Sequence, residues 1–462
     1  MNLKTFIYLL ILVIPKFLYS QQTGISTDSF DFVWKYVGNS GFSAGDSWNT
    51  NITFDSLNHP FVAYSNVTDT SKASVMTFDG FKWINVGKSG FTPGIAYFPS
   101  LAVSPLNQPY IAFIDGANDY KASVMKFNGA DWVYLGSPGF SKGSVYWTTL
   151  KFGPNGQPYV AFADISDSAK TYVMTYNGTY WDTVGSGGFS PGAAVWISLA
   201  FNNSGEPYVS FGDFASEEKL TVMKFNGTSW EYVGSLGISE GPALYTSMTF
   251  NQSGEPYVAF KDCVNQNKAS VKKFNGSDWI NVGSKGFSED EVWYIHLIFS
   301  EAGIPFICYK DNGYLGKATV MNFDGLKWAN VGDPGFSAGE VFWTDLAFDS
   351  TNILHVVFRD KETSFKATVM KYDSLFVDVN EVNESFISLY PNPVSDNLIL
   401  DYNNSNFINK SIEIFNLNGK KFFEAKSNEN RIIIYVENYP IGIYIVKVKT
   451  ESLNYIDKFC KN

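Results

Sequence analysis

Three residues from distant parts of the chain could do acid–base chemistry together. Asn51, His296 and Asp345 occupy one slot of an internal repeat that elsewhere holds a small hydroxyl, as Ser100, Thr149, Ser198 and Ser247. An imidazole beside a carboxylate is a pairing that moves protons near neutral pH. The same three units have acidic entry segments, Glu289-Asp290-Glu291, Glu340 and Asp46. A hard cation such as calcium, which takes oxygen ligands, would suit the same sector. The plainer reading is drift at positions that water satisfies. No cofactor is otherwise expected, because three Cys and three His give little material for a zinc site or a disulfide framework. Cys308 replaces a small residue of a strand and reads as a buried thiol.

Two more slots recur. Two residues before the first slot stand Phe98, Trp147, Trp196, Tyr245, Tyr294 and Trp343, with Asn49 in the first unit. Flat aromatic faces stack on sugars and other apolar planes. They equally serve to pack one repeat against the next. In the other slot, Asp115, Asp164, Asp213, Asp262, Asp311 and Asp360 end a strand, with Asn66 in the first unit. Lysines from Lys72 to Lys366 open the strand that follows. As a brace across the intervening loop, an exposed Asp–Lys pair contributes about 0–1 kcal/mol. As a ligand-binding set, the pairs would form seven equivalent polar pockets.

The elements that position these residues follow from one spacing. Trp34, Trp83, Trp132, Trp181, Trp230, Trp279 and Trp328 stand 49 apart, and the next position holds Val377. One unit predicts four short strands, opening near Trp147, Tyr159, Thr171 and Trp181. The first connection has Gly156 or its equivalents, and only Gly or Asn occurs there, so it calls for a left-handed backbone. The third connection is Asn177-Gly178, which is hairpin chemistry.

Four strands per repeat mean an all-β fold and a β-propeller, and seven inner strands give seven blades. Trp34 to Val37 is a fourth strand that arrives before any first strand, and the last unit ends on a third strand without its Trp. The N-terminal strand therefore closes the last blade and leaves no open edge. The unit resembles a propeller repeat of no named ligand family. It lacks the WD dipeptide, the kelch double glycine and the Asp of the sialidase Asp-box. Antiparallel strands put the two longer connections on one face, where binding is expected. The Phe of each Gly-Phe-Ser, such as Phe189, reads as an anchor for the loop between blades.

Composition limits the function. The chain has 462 residues, 17% aromatic and 17% charged, with a net charge of −11. That is too hydrophobic for disorder and too acidic for a broad nucleic-acid footprint. Lys4, the apolar Phe6 to Ile14 and the Ser20-Gln21 junction read as a signal peptide over residues 1–20. Its apolar run is far below the roughly 20 residues of a spanning helix. No transmembrane segment is expected in the mature chain.

From Ser388 the sequence changes. Alternation around Ile412 to Leu417 and Tyr444 to Val448, with Asn418-Gly419 between strands, predicts a small Ig-like β-sandwich. Tyr390-Pro391-Asn392-Pro393, Asn418-Gly419-Lys420, Gly442-Ile443-Tyr444 and the basic end from Lys458 carry a resemblance. The segment closely resembles the C-terminal sorting domain of type IX secretion substrates of Bacteroidota. That resemblance implies export across both membranes, with the domain read by the secretion machinery and usually removed. The expected organisation is a signal peptide at 1–20, a propeller at 21–376, a linker at 377–387 and a sorting domain at 388–462.

Equal repeats favour repeated weak sites over one asymmetric catalytic site, and linked weak sites gain about 10²–10⁴ in avidity. The leading expectation is a secreted or cell-surface binding propeller for glycans or another extracellular partner. The alternatives are a glycan-active hydrolase or lyase centred on Asn51, His296 and Asp345, and a structural surface scaffold.

Overall fold

Each 49-residue unit folds into a four-stranded antiparallel sheet because its turns are punctuated alike. In blade 3 the strands are Val145–Phe152, Pro158–Asp164, Lys170–Tyr176 and Trp181–Thr183. The first turn is left-handed in every unit, at φ 76° for Gly156 and φ 71°, 59° and 61° for Asn58, Asn107 and Asn352. Gly178 takes φ 101° in the third turn. The computed structural model describes residues 32–374, 387–402, 410–416, 420–450 and 454–461. The expected signal segment and most of the expected linker lie outside the described residues.

The inner strands of blades 1 to 7 are Ser47–Phe54, Ala96–Val103, Val145–Phe152, Ala194–Phe201, Ala243–Phe250, Val292–Phe299 and Val341–Phe348. Blade 7 takes its outermost strand, Phe32–Tyr36, from the start of the described chain. That strand pairs antiparallel with Lys366–Ser374, with Trp34 opposite Tyr372. The ring is therefore closed by strand exchange between its two ends. The third strand of blade 7 ends at Ser374, two residues before the expected limit at 376.

The repeated Trp is the seam. Trp181 Nε1 donates to the Leu135 carbonyl at 2.8 Å, and Trp230 Nε1 to the Val184 carbonyl at 2.8 Å, each reaching back one blade. Trp34 makes the same bond to Val331 at 2.9 Å across the closure. The Phe of Gly-Phe-Ser lies flat on the Trp, as Phe189 on Trp230 at 3.9 Å and 6° and Phe336 on Trp34 at 3.9 Å and 8°. The anchor expected from the sequence is thus a stacked pair. Gly185, at φ 71°, lies where a Cβ would meet the Phe225 ring at 2.6 Å, so the seam also needs a glycine there. Between blades the inward faces of the strands fill the core. Val160, Phe162 and Leu150 are fully buried beside Trp181. Burying one such side chain contributes about 1.5–3 kcal/mol.

The C-terminal unit has two sheets. One holds Ser388–Tyr390, Asn397–Asp401 and Arg431–Tyr435. The other orders Lys421–Ser427, Lys410–Asn416, Gly442–Lys449 and Asn454–Lys461. Leu398, Leu400, Ile412, Ile414, Val446 and Phe459 form its core. Tyr444 is buried, stacks on Phe459 and donates to the Pro440 carbonyl at 2.8 Å. Asn392, between Pro391 and Pro393, accepts from the Cys460 amide at 2.9 Å and donates to the Lys458 carbonyl at 3.1 Å. Those bonds tie the Tyr390-to-Pro393 segment to the last strand. Gly442 opens its strand, while the Asn418-Gly419 turn lies outside the described residues.

Candidate functional site

The seven inner strands enclose a channel cavity of about 570 Å³. Each strand is interrupted near its start. The register slips between Tyr146 and Thr149 in blade 3, and at the equivalent place in every other blade. The residue at this bulge is left-handed without being glycine. Its φ is 47° at Phe98, 59° at Trp147, 56° at Trp196, 54° at Tyr245, 57° at Tyr294, 54° at Trp343 and 53° at Asn49. A side chain in this conformation costs about 1–2 kcal/mol, and bulges are the device that re-aims side chains.

Here the bulge brings six half-buried rings together at the channel lining. Neighbouring centroids are 5.0 Å apart for Phe98 and Trp147, 4.3 Å for Trp147 and Trp196, and 3.9 Å for Trp196 and Tyr245. The circuit continues through Tyr294 to Trp343 and returns to Phe98 at 5.9 Å, over Asn49. The expected aromatic residues thus form one closed annulus. Burial pushes the Tyr245 and Tyr294 hydroxyls above their usual range, so both stay neutral.

Two residues further on lies a polar girdle that joins the blades. Ser100 Oγ accepts from the Leu150 amide at 2.9 Å, Ser198 from Met248 at 3.0 Å, and Ser247 from Leu297 at 3.0 Å, each in the next blade. Asp345 makes the same staple, since its Oδ2 accepts from the Ile52 amide at 3.0 Å. Its Oδ1 accepts from its neighbour Leu346 at 2.8 Å and meets His296 Nδ1. The expected cluster therefore comes together, with Asp345 side chain 13% exposed and His296 31%. Burial works against the Asp345 charge, but the His296 ring, the Ile52 amide and the charge of Lys151 outweigh it. They hold the carboxyl below the usual carboxylate range. Asn51 lies on the same cavity wall and donates to the Thr50 carbonyl at 3.0 Å, while its Oδ1 is buried without a partner. Cys308 sits opposite His296 in the ladder, fully buried, and burial pushes its thiol up.

The strand-end aspartates have another use. Asp164 Oδ1 accepts from the Ser166 amide at 2.9 Å, and its Oδ2 from Gly143 at 3.1 Å. Asp213 accepts from Ala215 at 2.9 Å and Gly192 at 3.1 Å, Asp311 from Gly313 at 3.0 Å, and Asp360 from Glu362 at 3.0 Å. Asp115 takes the Ala117 amide at 3.0 Å, and Asp262 takes the Ser270 hydroxyl at 2.8 Å. All six are buried. They face their lysines in the ladder, as Asp164 faces Lys170. Among the described residues no ion pair joins them. In place of the expected Asp–Lys brace, five of the six cap the loop backbone at the amide two residues on, and Asp262 holds the Asn265 and Ser270 side chains.

The sequence reading missed three cations. The residue before the strand-end Asp is Lys261, Lys310 or Arg359 in blades 5 to 7. Lys261 pairs with Glu291 at 2.6 Å, Lys310 with Glu340 at 2.6 Å, and Arg359 with Asp46 through two bonds of 2.6 and 2.8 Å. Each pair crosses to the next blade. Lys261 lies 3.6 Å from the Trp293 ring centre, and Lys310 4.1 Å from that of Phe342. The signal was present as a repeated offset of 30 residues between base and acid.

Comparison with known proteins gives one family match. Residues 388–462 match the model of the secretion system C-terminal sorting domain. This domain marks the chain for type IX export to the cell surface or the medium, and it implies contact with the secretion machinery. No curated protein matches the chain. Among solved structures, the extracellular domain of a putative hybrid two component system from B. thetaiotaomicron aligns with a TM-score of 0.50 and 12% identity. The alignment covers 93% of this chain and 59% of that one. PorZ, a surface component of the type IX secretion system of Porphyromonas gingivalis, aligns with a TM-score of 0.46 and 13% identity, over 91% of this chain and 60% of that one. An ulvan lyase aligns with a TM-score of 0.47 and 12% identity, over 74% of this chain and 96% of that one. This chain thus spans only 59% and 60% of the first two proteins' own length. At these identities the likeness is one of fold. Among the described residues no helix is long and apolar enough to cross a membrane.

Proposed function

We propose that this exported propeller is a binding protein that captures glycan chains at its aromatic annulus. One observation carries the reading. Glycine is the cheapest residue for a left-handed bulge, yet six of the seven bulges hold an aromatic ring. Ring-on-ring contact returns about 0.5–1.5 kcal/mol per pair, so packing alone roughly offsets the strain. The half-buried faces then remain as the net gain, and they are the surface on which sugar rings stack.

The test uses the mature chain on an array of extracellular polysaccharides, with tryptophan fluorescence as the binding signal. Trp147→Gly and Trp196→Gly suit the backbone and are expected to keep the fold while weakening glycan binding at least tenfold. Undiminished binding would leave the annulus as packing, and the scaffold reading would take its place.

A second reading has its own observation. Asp345 engages His296 at Nδ1, and His296 Nε2 makes no hydrogen bond among the described residues. That is the orientation a general base needs. Polysaccharide cleavage by the native chain, lost in His296→Gln, would establish it.

A further inference from the structure

The channel contains one charge that the protein leaves unmatched. Two residues beyond the polar girdle, the inner strands carry Thr53, Ala102, Lys151, Ala200, Thr249, Ile298 and Ala347. Lys151 is the only charged member, it lines the cavity, and it is exposed. It makes no ion pair with any described residue. Asp345 forms no ion pair with it; the His296 ring and the Leu346 and Ile52 amides hold that carboxylate. The two charges still sense each other, since Lys151 helps to keep Asp345 ionised.

Apart from Asp345 and the His296 that engages it, the rest of the lining carries no charged side chain. Hydroxyls, apolar side chains and the aromatic annulus line the lumen, and among the described residues His296 Nε2 has no hydrogen-bond partner. A low-dielectric cleft with one uncompensated cation focuses its field on an entering anion. A neutral ligand that displaced the water there would strip Lys151 without replacing its partner, which is costly.

We infer that the channel takes the carboxylate of an acidic sugar, with Lys151 as its counter-charge and His296 Nε2 as its second contact. This rests on the glycan reading above and adds the ligand's charge. With Asp345 engaged at Nδ1, Nε2 is the ring nitrogen left for the ligand. Neighbouring units of the same chain stack on Trp147 and Trp196. Binding makes and breaks no covalent bond.

The experiment is calorimetry of the mature chain with a panel of uronate oligomers and their methyl esters. The ester keeps the sugar backbone and removes the charge. The acid form is expected to bind at least tenfold more tightly than its ester. Lys151→Met is expected to lower affinity for the acid at least tenfold, and Lys151→Arg to retain it. Equal affinity for acid and ester overturns this inference while leaving glycan capture intact. So does an acid preference that survives Lys151→Met. Failure of the native chain to bind any glycan overturns both.

Discussion

Two halves of the propeller solve the same packing problem with different chemistry. At the seams of blades 1 to 5, the two facing slots hold Ser65 and Ile95, Ile114 and Ser144, Ala163 and Ala193, and Gly212 and Pro242. At the three remaining seams the same slots hold Lys261 and Glu291, Lys310 and Glu340, and Arg359 and Asp46. The plain half shows that small and apolar residues suffice to join blades. The ion pairs are therefore additions to the fold. They share their blades with His296, Asp345 and Asn51, so two independent departures from the repeat fall in one sector.

The comparison breaks most visibly at Lys261, which is 3% exposed beneath Trp293. Lys261→Ala strands Glu291 beside an apolar seam. Removing one partner of a buried pair costs about 3 kcal/mol, and here the 29% exposure of Glu291 keeps the loss from being larger. Urea unfolding should show that loss. Lys261→Ala with Glu291→Ala recreates the Ala163 and Ala193 seam of the plain half. The double variant should return to within about 1 kcal/mol of the native chain. If it stays as unstable as the single variant, the pair is part of what holds the ring, and the two halves are not interchangeable.

The sequence exposes the ring well and its chemistry unevenly. The spacing of Trp34 to Trp328 is enough to count blades and to predict closure, since strand exchange follows from where the first and last units are cut. The bulge is less visible. Two adjacent large residues such as Tyr146 and Trp147 fit an ordinary strand, and only Asn49 in the same slot hints at a left-handed backbone. The cations at 261, 310 and 359 escape notice because their partners lie in the next blade, where pairing depends on ring geometry. The aspartates invite an ion-pair reading because ladder partners face each other. Loop amides that need capping carry no sequence mark, so the actual use of Asp164 emerges only from the turn it closes.

Asp345 sharpens the contrast with a smaller effect. Its carboxylate replaces the serine staple of the plain half and adds the His296 contact. Asp345→Asn keeps the size but loses the charge, and hydrogen bonds to a charged group are worth about 2 kcal/mol. Because the folded carboxyl is held below the ordinary range, its stabilisation is fully present above the unfolded value of about 3.9. It is lost as pH falls through the lower, folded value. Denaturation of native and variant chains should therefore differ at pH 7 and converge in strong acid. A gap that persists unchanged to low pH would show that shape, not charge, makes Asp345 matter.

The smallest effect belongs to Asp213, in the plain half. Its Oδ1 accepts the Ala215 and Gly192 amides, but its Oδ2 is buried without a partner. Burial raises its carboxyl above the ordinary range despite those two bonds. The sign is then opposite to that of Asp345. Between the unfolded value of about 3.9 and the raised folded value, the native chain holds the proton more tightly than the unfolded one. Stability from this group rises as pH falls through that window. Asp213→Asn preserves the Oδ1 acceptor and removes a charge that the site does not compensate, so the change at pH 7 should stay below about 1 kcal/mol. The variant should also lose the gain that the native chain shows on mild acidification. Chemical denaturation at several pH values between neutrality and the carboxylate range checks both points. A large loss at neutral pH would mean that the ionised Asp213 is held by more than two amides, and the two halves would then differ less in how they treat a buried carboxylate.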